Sequence, residues 1–199
     1  MTTFAFPSIT PATNTFELVS NTRTYQSPLT NAVQTASRKG SLWKASLQFN
    51  NLSGDDRKVM QAFLVKLNGQ QHRFTLQDHS HTLRGAGGGN LVVNGASQSG
   101  TTLVCDGATA NVNNYLRAGD YVSFNNELHM VVADTNSDGS GNVSISIAPP
   151  IRKSPPDDTI VDYTAPVQGV FMLAGPASWN TTIDIHSSFT IEAVEDVLA

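Results

Sequence analysis

Between Leu42 and Phe49 the large apolar side chains Trp43, Leu47 and Phe49 alternate with Lys44, Ser46 and Gln48, the period of a half-buried strand, with Trp43 directed at the core. Ser53-Gly54-Asp55-Asp56 follows, offering an N-cap serine and negative charge where a helix dipole favours it. Val59, Met60, Phe63, Leu64 and Leu67 then recur at helical spacing and predict the buried face of a helix over Asp55–Leu67. Arg57, Lys58, Gln61 and Lys66 point away. Asn68-Gly69 ends the helix, with Gly69 expected in the left-handed conformation. Phe74 and Leu76 alternate with Arg73, Thr75 and Gln77 in a returning strand, so the unit reads as one helix laid across a sheet.

The rest of the chain reads almost entirely as strands. Phe4, Phe6 and Ile9 with Pro7 and Pro11 suit an edge strand or an arm lying on a neighbour. Phe16–Asn21 and Thr22–Gln26 are strand material, Ser27–Asn31 is a turn, residues 29–39 continue as strand or loop, and Arg38-Lys39-Gly40 turns the chain into the Trp43 strand. Gly85-Ala86-Gly87-Gly88-Gly89 reads as a hinge. Beyond it Leu91–Val93, Thr102–Cys105, Tyr121–Phe124, Leu128–Ala133 and Val143–Ile147, separated by Gly and Asn turns, predict a small barrel. Gly169–Ala174 and Thr181–Glu192 alternate again and are expected to return to the first sheet. The expected fold is mainly β with a minor α component. Residues 1–80 plus 164–199 form one domain with a packed helix, interrupted by a small β-barrel over residues 81–163.

Composition supports a turn-rich β protein, since only 14% of residues are charged. The net charge of −4 offers no basic field for sequence-specific nucleic-acid binding. A lone Cys105 forms no intramolecular disulfide, so the fold rests on packing and assembly. No leader and no apolar run of membrane-spanning length is visible, which predicts synthesis in a cytoplasm and no membrane partner. The triplets at Asn51, Asn142 and Asn180 read as chance matches to the glycosylation motif.

Candidate chemistry is sparse. Asp134, Asn136, Asp138 and Gly139 open like a calcium loop, but position twelve is Ile145 and the flanks are strands, so a polar hairpin is expected. His72, His79 and His81 lack a third ligand at recognisable spacing for zinc. The glycine run has no Gly-Lys-Ser/Thr ending and leads into a strand, against a phosphate loop. Cys105 follows Leu103-Val104 and reads as a buried structural thiol. Asp55-Asp56 reads as helix capping and Asp157-Asp158 as a solvated loop. The expectation is no enzyme, no cofactor and no metal.

The strand, helix and strand over Leu42–Phe49, Asp55–Gly69 and Arg73–Leu76 resemble the tube-type domain of long-tailed bacteriophage proteins. Leu116–Phe124, Leu128–Ala133, Asp138–Ile145 and Pro149–Arg152 are similar to a β module of minor tail proteins of siphophages, and the size and layout are most like the distal tail protein. That resemblance implies a tail-tube-like β-sandwich that forms a ring, usually a homohexamer. Such a ring would sit in the virion tail and join the tail tube protein to the hub and tip proteins, with the tape measure protein as a further possible neighbour. Its sheets would continue across subunits and line a channel through which DNA passes, eased by the acidic balance. It carries over no active site, and the small insert argues against direct receptor binding.

Edge strands and arms at both ends suit lateral pairing. Phe4, Phe6, Ile191 and Val194 are the expected subunit contacts, within an N-terminal arm and the segment Ile191–Ala199, with the barrel on the ring's outside. Another minor tail or tube protein fits the same pattern, and two other classes compete. A carbohydrate-binding module of the tail tip would use exposed aromatics, with Tyr115, Tyr121 and Trp179 as candidates. A glycan hydrolase would need convergent His, Asp, Glu or Cys in one pocket.

Overall fold

The computed structural model describes residues 1–37, 40–164 and 167–196. In chain order the elements are β1 (Thr3–Ala5), β2 (Thr13–Val19), β3 (Thr22–Gln26), β4 (Val33–Ser37), β5 (Leu42–Leu52), α1 (Gly54–Leu67) and β6 (Arg73–Gln77). They continue with β7 (Gly89–Val93), β8 (Gly100–Ala108), β9 (Tyr121–Phe124), β10 (Glu127–Val131), β11 (Val143–Ile151), β12 (Gln168–Leu173), β13 (Ser178–Thr181) and β14 (Ser187–Glu195). The protein is mainly β, and its large sheet curls into a half-barrel. Arg38, Lys39 and the last three residues of Ile191–Ala199 lie outside the described residues.

The large sheet runs β1-β6-β12-β14-β5-β2, with β13 also paired to β14. Only β1 on β6 is parallel. Strict alternation in β5 buries Trp43, Ala45, Leu47 and Phe49 on one face, and the pairs Phe49↔Phe189, Leu47↔Ile191 and Ala45↔Ala193 carry that face onto β14. Lys44, Ser46 and Gln48 share the opposite face with Thr190 and Glu192.

Helix α1 covers part of the apolar face through Met60, Phe63, Leu64 and Leu67. Val59, expected on that face, is instead 48% exposed, because the contact follows a narrower arc of the helix than the five-residue pattern implied. Ser53 makes no side-chain cap bond, so Asp55 and Asp56 in the first turn are what complement the dipole. At the other end the left-handed turn begins one residue early, at Asn68 with φ 48°, and Gly69 continues it at φ 65°.

The second sheet runs β7-β8-β11-β10-β9. It closes because residues 159–162 bridge its two edges: Val93 N–H donates to Thr159 and Val161 N–H to Leu91, while Ser123 and Asp162 exchange two backbone hydrogen bonds. The barrel interior is filled by Leu91, Leu103, Cys105, Tyr115, Phe124 and Ile145 among others, leaving a packed core rather than a cup.

The glycine run is not a hinge. Ala86 and Gly87 N–H groups donate to the Asn114 and Tyr115 carbonyls, and Tyr115 and Tyr163 hydroxyls donate to the Gly88 and Gly89 carbonyls. A Cβ on Gly89, at φ 83°, would lie 2.3 Å from the Gly107 carbonyl oxygen. These glycines let one backbone press against another at the barrel's end.

Barrel and sheet share a core. Tyr121 and Leu128 are buried with the apolar face of the large sheet, where Trp43 Nε1–H donates to the Leu128 carbonyl at 2.9 Å. Gly169 in β12 makes room for this, since a Cβ there would lie 2.8 Å from Leu128 Cβ. The apolar face is thus covered jointly by α1 and the barrel, and no described element covers the polar face.

Candidate functional site

The residues expected at subunit contacts belong largely to the chain's own core. Ile191 is only 1% exposed beneath α1, so it is not available to a neighbour. Phe6 is half-buried among Phe49, Phe63, Phe74 and His79, and Phe4 packs edge-on against His72 with the Lys66 ammonium 4.0 Å from its ring. The N-terminal segment is therefore an edge strand of this sheet, continued by a strap that seats Phe6 in the chain's own core. Val194 is half-buried opposite Lys44.

The sugar-binding candidates fare similarly. Tyr115 and Tyr121 are buried, and Trp179 lies on β13 of the large sheet, away from the barrel. No aromatic of the three presents a ring on the barrel surface for a sugar to stack on.

The chemical candidates are occupied by local structure. Asp138 accepts from the N–H groups of Ser140 and Asn142 and from Asn142 Nδ2, each at 2.8 Å, and these bonds hold its carboxyl below the usual range. Asp157 accepts from Gly95 N–H. His72 Nδ1 accepts from Thr2 N–H, while His79 and His81 face different rings, Phe6 and Tyr121. Among the described residues no group of three or more His, Cys, Asp or Glu is placed to hold a metal. Burial pushes the Cys105 thiol up to about 12. No helix among the described residues is long and apolar enough to cross a membrane.

Two features stand out that sequence reading missed. The first is buried charge. Asp120 accepts from the N–H groups of Arg84, Gly85 and Arg117, pinning the segment that leads into the barrel. Glu127, His129, Arg152 and Glu195 meet between barrel and sheet, with their partners far apart in sequence.

The second is a free-standing ribbon. β2 and β5 pair as a hairpin whose far half is β3 and β4, and these pair with each other and, among the described residues, with no other strand. Every residue of β3 is exposed, and Tyr25 (54%), Val33 (60%) and Leu29 at the turn (93%) put apolar surface in water. Five residues of strand give the ribbon a length of about 17 Å. The stretch 19–54 contains no Asp or Glu but includes Arg23, Arg38, Lys39 and Lys44, so all 16 acidic residues lie elsewhere. At its base β2 forms the outer edge of the large sheet, with only Glu17 to discourage pairing. A two-stranded ribbon is marginal alone in water, and an unprotected edge strand invites another strand. Edge and ribbon form one continuous candidate assembly surface.

No protein-family model matches the chain, and no curated protein matches it.

Proposed function

We propose that the protein is a structural component of a long-tailed phage tail. It assembles as a ring, a homohexamer by resemblance, at the distal end, between the tail tube and the hub, and leaves a central passage for DNA. The observation that carries this reading is the β2 edge running into the β3–β4 ribbon, a surface of paired but uncovered backbone and apolar side chains. In a ring each ribbon and edge would bury against the next copy, and the operation that joins one copy to the next would close on itself. The sequence stretch 19–54, free of acidic residues, and the acidic remainder of the chain favour contact between copies, not dispersal. The polar face bearing Lys44, Ser46, Gln48, Thr190 and Glu192, with charges of both signs and no basic cluster, suits a wall past which DNA slides without sticking.

Light scattering across concentration, followed by electron microscopy, tests the assembly. Rings of about six subunits with an open centre are the expected result. Replacing residues 22–37 by a short turn should abolish them while leaving the melting temperature of the body nearly unchanged, because β3 and β4 pair with no other strand among the described residues. A persistent monomer that binds glycans or turns over a substrate overturns the proposal.

A further inference from the structure

The root of the ribbon lies where a buried cation holds it. Arg152, at the end of β11, reaches out of the barrel. Its Nη2 and Nη1 donate to the two oxygens of Glu195 on β14, at 2.6 and 2.8 Å, and Nη1 also donates to the Ser41 carbonyl at 2.7 Å. Its Nε lies 3.3 Å from Glu127 Oε2 on β10. Glu195 in turn accepts the N–H of Trp43 at 3.1 Å and of Leu128 at 3.0 Å. Glu127 accepts the N–H of Arg152 and Lys153 and stands 3.2 Å from His129 Nε2. His129 lies flat on Phe124, with its Nδ1 2.8 Å from the Pro149 carbonyl oxygen.

Ser41 and Trp43 flank the start of β5, the strand that follows β4 in the chain, and Leu42 between them pairs with Val19, the last residue of β2 before the ribbon leaves. One guanidinium and one carboxylate therefore tie the barrel strands β10 and β11 to the place where the ribbon joins the sheet.

A buried ion cluster is a poor source of net stability, because desolvation offsets most of the attraction and apolar side chains would fill the space as well. What a planar, bidentate guanidinium adds is direction. We propose that Arg152 is a coupling residue through which the barrel sets the orientation of the β3–β4 ribbon, so that the two move as one piece. Displacement of the barrel by anything that engages it is then delivered to the ribbon root without passing through the helix. This coupling is a property of the single chain and stands independently of ring formation.

The test uses the full chain with Arg152→Lys, which keeps a compensating charge for the two glutamates but loses the fork that spans Glu195 and Ser41. Nitroxides on Thr24→Cys in the ribbon and Ser140→Cys in the barrel report their separation, and the buried Cys105 thiol stays unlabelled. The expected result is a narrow distance distribution in the parent chain that broadens in the lysine variant, with amide exchange at Trp43 faster by roughly tenfold or more. A melting curve confirms that the variant is folded. An equally narrow distribution in the folded variant overturns the proposal, as a merely structural ion pair would change melting and leave the separation alone. Should the variant fail to fold, the parent chain decides. A narrow ribbon-to-barrel distance distribution together with slow Trp43 exchange supports the coupling, and a broad distribution in the folded parent chain overturns it.

Discussion

Single side chains decide how the sheet is covered and how its seams respond to acid. Phe63 and Leu67 lie fully within the core between α1 and β5, β6 and β14. Each truncation to Ala should cost about 2–5 kcal/mol. Against a total stability on the order of 5–15 kcal/mol, the double variant should lose its cooperative melting transition. An unchanged melting temperature would mean that the helix does not seal the sheet. His79 and His81 sit at two seams, one under the N-terminal strap and one against the barrel's Tyr121. Burial lowers both below the ordinary 6.5, with the carboxylates of Asp78 and, for His81, Asp120 pulling the other way. The folded state therefore favours neutral imidazoles. Above pH 6.5 their contribution is complete, and as pH falls from there toward the lowered folded values the unfolded chain takes up protons first and stability declines. Melting temperature should drop between about pH 7.5 and pH 5.5, and His79→Asn with His81→Asn should flatten that drop. An identical drop in the double variant would place the sensitive groups elsewhere.

At the scale of elements, the sequence was readable wherever the signal was local. Trp43, Leu47 and Phe49 announce β5 because alternation is a property of neighbours, and Asp55 to Leu67 announces α1 for the same reason. The five barrel strands were legible from their turns, but the closing segment 159–162 was not, because two bridges and a proline-rich approach leave no periodic trace. The glycine run was misread as a hinge because a tight backbone contact and a flexible link have the same composition; only the Tyr115 and Tyr163 hydroxyls and the Gly107 carbonyl distinguish them. Of the candidate site, the edge strand at the N-terminus was legible as one of two readings, whereas its packing was not, since Phe4 and Phe6 find their partners in α1, β5 and β6 rather than on a neighbour. The ribbon was seen as strand material, yet nothing local says that β3 and β4 would lack a third partner. The Arg152 cluster was illegible outright, with Glu195 lying 43 positions from Arg152 and 152 from Trp43.

For the molecule as a whole, the seam between barrel and sheet should be the part that acid opens. Burial alone would raise the Glu127 carboxyl, but hydrogen bonds from His129 and Arg152 and their charges hold it below the ordinary 4.5. A carboxylate stabilised in this way contributes fully above its unfolded value and is lost as pH falls through the lower folded one. Below pH 4.5 the cluster should weaken, exposing Trp43 at the seam. Its tryptophan emission should shift to the red in that range and do so less in Glu127→Gln. A shift of equal size in both chains would assign the acid response to other carboxyls.

The pairing of Gln77 with Gln168 brings the two ends of the barrel segment side by side. β6 and β12 are antiparallel neighbours, and the whole barrel is what connects them. In outline the protein is a hairpin whose turn has been replaced by a folded guest. Removing residues 78–167 and joining the strands through a two-residue turn would restore an ordinary connection without stretching the host. It would also strip the cover from Trp43 and leave Glu195 without its cation. The sheet depends on the barrel for that cover, and without it the chain would need another way to shelter the same tryptophan.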